Sequence, residues 1–66
     1  MKAKSLPEFL NREHMVFITN FSMDELMQIH LMKEQGVVER IESLGKGQVV
    51  WFHDRRETIK FLLTHG

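Results

Sequence analysis

The chain has 66 residues, contains no cysteine, and carries nine lysine and arginine residues against nine aspartate and glutamate residues. A domain of this length buries only about 60% of the surface of its unfolded chain, so we expect one small core. The lack of cysteine excludes disulfides and favours a cytoplasmic location. A net charge of zero excludes a strongly basic nucleic-acid-binding domain. No apolar run approaches the roughly 18 residues that a membrane span needs, so we expect no membrane partner.

The sequence lacks the motifs that mark common catalytic and metal sites. It contains no glycine-rich phosphate loop, no His-Glu-x-x-His pair and no paired-cysteine ligand set. The four histidines do not share helical i, i+4 or strand i, i+2 spacing. A chain this short can hardly enclose a pocket that excludes water. We therefore predict a protein that is not an enzyme and that uses no metal and no cofactor.

Residues 1–14 read as an N-terminal extension that contains a short helix over residues 5–12. Ser5 and Glu8 have the spacing of a capping box, and a proline between them suits the first turn of a helix. Three apolar side chains then fall on one helical face, namely Leu6, Phe9 and Leu10. This apolar face predicts that the helix covers another part of the domain.

The segment 15–21 is rich in β-branched and aromatic residues, which predicts a strand. Most of its positions are apolar on both faces, which is typical of a central strand buried on two sides. Ser22 and Glu25 form a second capping box, and the pattern predicts a helix from residue 23 to 35 that stops at Gly36.

The remaining sequence predicts two more strands and a last helix. Strands over 37–43 and 48–53 are joined by a tight turn, and Asp54 with Glu57 would begin the helix. We expect three residues on the inner side of that helix, Ile59, Leu62 and Leu63. The order β-α-β-β-α over 15–66 predicts a single α+β domain, with a three-stranded sheet and both helices on one sheet face.

Two strand sequences resemble those of a known family. The run from Val16 to Phe21 is similar to the first-strand signature of the RNA-recognition motif, and the segment from Lys46 to Phe52 is similar to its third-strand signature. The resemblance covers residues 15–66 and implies a ferredoxin-like fold that binds RNA on its open sheet face. The sequence departs from the family where it stops before a fourth strand, and where Gln48 or Val49 replaces an aromatic stacking residue.

Alternation along the strands then predicts which side chains share the open face. Phe17 and Trp51 would stack on single-stranded bases, while Arg40 and Lys46 would contact backbone phosphates. The other residues predicted on this face are Thr19, Val49 and His53. We therefore predict a small module that binds single-stranded nucleic acid, with RNA ranked ahead of DNA as the ligand.

Two other functions remain open at this point. The segment from Leu31 through Phe52 resembles the recognition helix and wing of a winged-helix DNA-binding domain, although an apolar strand precedes the helix where that family has another helix. The helix over 23–35 is apolar around more than half of its circumference, which favours a protein partner, as in an adaptor or an inhibitor. The missing fourth strand would leave a free sheet edge, so we also expect a homodimer.

Overall fold

The computed structural model describes residues 1–6 and 14–65 of the chain. These residues form four strands and two helices. In chain order the elements are β1 (Lys2–Ser5), β2 (Met15–Thr19), α1 (Met23–Glu34), β3 (Val38–Leu44), β4 (Gly47–Phe52) and α2 (Arg55–His65). The domain is therefore of the α+β class. Its radius of gyration is 10.7 Å.

The described strands form one antiparallel sheet in the order β1-β2-β4-β3. Strand β2 pairs on both sides, so its predicted central position is confirmed. β4 lies between β2 and β3, which makes those two strands parallel to each other without being neighbours. The pairing of β2 with β4 continues one step further, because Phe52 N–H donates a hydrogen bond to the His14 carbonyl at 2.9 Å.

The prediction of a three-stranded sheet was wrong, because the first residues of the chain supply a fourth strand. Ala3 pairs with Ile18 and Ser5 pairs with Val16, so Ser5 extends a strand where we had predicted the start of a helix. The rest of that predicted helix, from residue 7 onward, lies outside the described residues.

Helix α1 begins and ends where its local sequence predicts. The Ser22 hydroxyl accepts a hydrogen bond from Glu25 N–H, while the Glu25 carboxylate accepts one from Ser22 N–H, so the capping box is confirmed. Gln35 caps the other end, and Gly36 follows at a φ of 83°, a conformation that glycine adopts without strain. Neither described helix has the length and apolar character to cross a membrane.

The inner face predicted for helix α2 is correct at one of its three residues. Asp54 caps it by accepting a hydrogen bond from Arg56 N–H at 2.8 Å. Thr58 and Phe61 are its buried residues, and the predicted Leu62 is partly buried against the core, whereas the predicted Ile59 and Leu63 are exposed. The Phe61 ring packs against Phe52 with 5.3 Å between ring centroids, so the Phe61 side of the helix faces the sheet.

The core lies between the two helices and one face of the sheet. Each inner strand contributes two side chains that are at most 1% exposed, Val16 and Ile18 from β2, and Val50 and Phe52 from β4. The rest of the cluster comes from the flanking elements, namely Ala3, Ile29, Val38 and Phe61. With both helices on this side, the described residues leave the opposite sheet face without a helical layer.

Candidate nucleic-acid interface

The sheet face opposite the helices carries aromatic and charged side chains in register. Residues directly opposite each other in an antiparallel pair point to the same face. One such row runs across all four strands through Lys4, Phe17, Val49 and Glu42. A second row joins Met15, Trp51 and Arg40, and Lys2 lies beside Thr19 at the β1 edge. We call this surface the open face.

Phe17 forms one aromatic centre of the open face. Its ring lies over Gly47, where an added Cβ would come within 2.6 Å of the ring, so the ring sits directly on the β4 backbone. The Lys4 ammonium stands 6.0 Å from the ring centroid, at the outer limit of a cation–π contact. Val49, the β4 partner of Phe17, is only 4% exposed although it faces away from the helices. The open face therefore has a small apolar layer of its own.

Trp51 forms the second aromatic centre, and a β-bulge determines what covers it. The pairing between β3 and β4 shifts between Val38 and Arg40, so Arg40 rather than Glu39 lies opposite Trp51. The Arg40 guanidinium lies 4.0 Å from the Trp51 ring centroid and 3.6 Å from the Glu42 carboxylate. Two residues that we had predicted to bind a base and a phosphate separately are thus in contact with each other.

Charge is distributed unequally between the two sides of this neutral chain. The open face carries the cations Lys2, Lys4 and Arg40 and a single described anion, Glu42. The other described residues carry six acids and five cations, a net charge of −1 against +2 on the open face; the acids are Asp24, Glu25, Glu34, Glu39, Asp54 and Glu57, and the cations are Lys33, Lys46, Arg55, Arg56 and Lys60. A net charge of zero therefore conceals a surface with the sign that attracts phosphate.

A shallow cavity of about 390 Å³ lies where the open face meets the β1 edge. Its lining includes the two β1 lysines together with Phe17 and Thr19. Lys2 and Lys4 were absent from the predicted site because we did not assign β1 as a strand. The alternation Lys2-Ala3-Lys4 was the available signal, since it puts both ammonium groups on the face opposite the one buried alanine.

The structure brings five of the seven predicted site residues onto the open face: Phe17, Thr19, Arg40, Val49 and Trp51. Lys46 lies in the exposed turn between β3 and β4, next to Gly47 and so close to the Phe17 end of the face. His53 is exposed one residue beyond β4, and its N–H donates to the Val37 carbonyl at 3.2 Å. His53 thus lies past the register-paired part of the sheet.

A second concave surface lies on the helical side of the sheet. The helices α1 and α2 are described throughout, and no Cα atom of one comes within 8 Å of a Cα atom of the other. The groove between them has a volume of about 400 Å³. Its lining combines the buried or half-buried apolar residues Ile29, Met32 and Phe61 with charged residues that include Glu25, Glu57 and Lys60.

Comparisons of the chain with protein-family models, with curated proteins and with solved structures found no match.

Proposed function

We propose that this protein is a non-catalytic binding module for single-stranded nucleic acid, with RNA ranked ahead of DNA as the ligand. The open face is its binding surface in this proposal. The observation that supports this proposal is the pairing of each exposed aromatic ring with a cation, Phe17 with Lys4 and Trp51 with Arg40. Single-stranded nucleic acid offers planar bases that can stack on a ring or on the Arg40 guanidinium, and phosphates that can contact the lysines.

In this proposal the two aromatic centres bind in different ways. Phe17 offers a ring for direct stacking, with the two β1 lysines placed to contact the flanking phosphates. Trp51 and Arg40 act as one platform, because a guanidinium plane that lies on an indole ring can itself stack on a base. Lys46, in the adjoining turn, extends the path of positive charge.

We also propose that the domain is a variant of the ferredoxin-like arrangement. The order β2-α1-β3-β4-α2, with β4 between β2 and β3, follows the β-α-β-β-α part of that fold. Strand β1 lies beside β2, at the edge where the RNA-recognition motif has its fourth strand. On this interpretation, an N-terminal strand takes the place of the missing C-terminal one.

The direct test is a titration of Trp51 fluorescence with an eight-nucleotide oligouridine over a range of salt concentrations. Trp51 is the only tryptophan of the chain, so its emission reports on this face without a label. Three phosphate contacts, at Lys2, Lys4 and Lys46, predict a slope of about −2 in log K against log salt. Absence of binding at low salt, or binding that does not depend on salt, would contradict the proposal.

Variants then locate the surface. We expect Trp51→Ala to weaken binding by roughly 1–3 kcal/mol, because one stacking platform is lost. Lys4→Ala should reduce the salt slope by about 0.7, since one phosphate contact is removed. Lys33→Ala is the matched control, because it removes the same charge from α1 on the other side of the sheet. Equal effects of Lys4→Ala and Lys33→Ala would show that binding is not confined to the open face. Because Trp51→Ala removes the fluorophore, binding by all variants is measured by anisotropy of a labelled oligouridine.

A protein-binding adaptor or inhibitor is the second candidate function, and the groove between the helices supports it. Five exposed apolar side chains lie on the helices outside the groove lining, Met23, Met27, Leu31, Ile59 and Leu63, in addition to the apolar residues of the groove itself. A winged-helix regulator would need a helix directly before its recognition helix, whereas strand β2 precedes α1, so we favour the first two functions. Failure of every oligonucleotide to bind would make the adaptor the leading proposal.

A further inference from the structure

The two edges of the sheet differ in length and charge. Strand β1 has four residues, two of which are lysines, and short charged strands are a common protection against edge-to-edge pairing. Strand β3 has seven residues, Val38–Leu44, and no described strand pairs with its outer side. From Arg40 to Leu44 the strand pairs with β4 in a regular register, without a bulge. The backbone groups on the outer side of this segment can therefore accept another strand.

The sequence of β3 is complementary to itself in the antiparallel direction. A twofold axis at Ile41 would place Arg40 of one copy opposite Glu42 of the other, and Glu42 of the first opposite Arg40 of the second. The same axis pairs Ile41 with itself, so the regular pairing covers Arg40, Ile41 and Glu42 of each copy, and the bulge between Val38 and Arg40 lies beyond it. Opposite charges directly across a strand pair are favourable, so the charge pattern selects this register over its neighbours. Within one chain the two side chains are already close, at 3.6 Å, on the same side of the strand.

Helix α1 adds apolar surface next to the same edge. It packs over β3, and its residues Glu25, Gln28 and Met32 line the groove toward α2. Because successive helical residues are turned by about 100°, Met23 and Leu26 lie away from the groove, on the flank of α1 that is farther from α2. Met23 is 72% exposed. A second copy paired through β3 would bring its own α1 alongside this flank.

We propose that two copies of this chain pair through β3, antiparallel and centred on Ile41, to form one continuous eight-stranded sheet. The contact is isologous, so it closes at two copies. The twofold axis is perpendicular to the sheet, which places both open faces on the same side. This dimer does not depend on the proposed nucleic-acid function. It also differs from the dimer expected from the sequence, which would have used the edge that β1 occupies.

Charge reversal and mixing test this interface by sedimentation equilibrium. Arg40→Glu places glutamate opposite Glu42 of the partner, and Glu42→Arg places arginine opposite Arg40. Each variant alone should raise the dimer dissociation constant by roughly tenfold. An equimolar mixture of the two should recover heterodimer, because positions 40 and 42 then carry opposite charges across the interface. Within each variant chain these two positions carry like charges, so an intrachain effect cannot produce the recovery.

Arg56→Glu is the matched control, because it makes the same charge change at the start of α2, away from β3. It should leave the dissociation constant unchanged, and circular dichroism should show that all three variants fold. A wild-type chain that stays monomeric at several hundred micromolar would overturn the proposal. So would folded charge-reversal variants that dimerise as well as wild type, or a mixture that forms no heterodimer.

A cysteine variant fixes the register independently of charge. The chain has no cysteine, so Ile41→Cys introduces a unique thiol. In the proposed dimer this thiol lies opposite the same thiol of the second copy, across the twofold axis. Oxidation should yield a disulfide-linked dimer. In Ser43→Cys the two Cα atoms would stand roughly 14 Å apart, well beyond disulfide reach, so this control should stay uncrosslinked. Equal crosslinking of both variants, or crosslinking of Ser43→Cys alone, would contradict a pairing centred on Ile41.

Discussion

The two faces of the sheet hold their apolar side chains in different ways. Under the helices, Ile18 and Phe52 are at most 1% exposed and contact other apolar groups, so their burial stabilises the fold. On the open face, Phe17 and Trp51 are half-buried and are paired with cations. Moving a flexible charged side chain away from a ring costs little free energy, so a ligand can gain access to such a ring. The difference separates a face that makes the fold from a face that is available for binding.

The largest effect that this comparison predicts is at Phe52. Truncation in Phe52→Ala should lower the free energy of unfolding by about 3–5 kcal/mol, enough to unfold much of so small a domain. Trp51→Ala, on the neighbouring residue of the same strand, should lower it by about 1–2 kcal/mol, because that ring is only half-buried. Urea denaturation followed by circular dichroism measures both values. Equal losses would mean that the open face is part of the core.

The next effect concerns the apolar layer of the open face. In Gly47→Ala the added Cβ would meet the Phe17 ring and the Ile18 carbonyl oxygen, so we expect a loss of roughly 1–3 kcal/mol in unfolding free energy. Combining it with Phe17→Val should recover part of this loss, since the ring is then absent. A double-mutant cycle by urea denaturation measures the coupling. A neutral Gly47→Ala would show that Phe17 does not rest on the β4 backbone.

A smaller effect is expected at Arg40. Removing the guanidinium in Arg40→Ala should lower the unfolding free energy by about 0.5–1 kcal/mol, the usual size of an exposed cation–π contact. It should also shift the Trp51 emission to longer wavelength, because water reaches the ring. Arg40→Lys keeps the charge but loses the planar stack, so the Trp51 emission maximum of this variant should lie between those of wild type and Arg40→Ala. Unchanged emission in Arg40→Ala would show that the guanidinium does not cover the indole.

Local signals were sufficient to predict most of the covered face. The capping box at Ser22, the glycine at the end of α1 and the alternation of strand residues each act over a few positions, and all agree with the structure. Val16 and Ile18 lie in the core, as the prediction of Phe17 and Thr19 on the open face requires of their neighbours in an alternating strand. The inner face of α2 was predicted only at Leu62, because Phe61 faces the sheet through its contact with Phe52, a tertiary interaction that a local pattern does not show.

The open face was predicted less completely, since its composition depends on pairing between distant segments. Strand β1 has one buried apolar residue, Ala3, so its strand conformation follows from the register with β2 rather than from its own sequence. The stack of Arg40 on Trp51 depends on the bulge in β3, and the sequence gives no sign of which residue is displaced. The lysines of β1 and the Arg40 platform therefore became visible only in the structure.

The smallest expected effect is on the helical side of the sheet, where the Glu25 carboxyl makes the unfolding free energy depend on pH. Ser22 N–H donates to Glu25 Oε1 at 2.8 Å, and this hydrogen bond, with a further contribution from the Met1 ammonium at 3.5 Å, holds the pKa of the Glu25 carboxyl below its ordinary 4.5. A carboxyl whose pKa is lowered by folding stabilises the native state above its ordinary pKa, and this contribution is lost as the pH falls through the lowered value. We therefore expect the unfolding free energy of wild type to fall between neutral pH and pH 3 by more than that of Glu25→Gln, which keeps an acceptor oxygen but cannot titrate. Urea titrations at several pH values measure the difference, and parallel pH profiles for the two proteins would show that the capping carboxylate does not contribute to acid sensitivity.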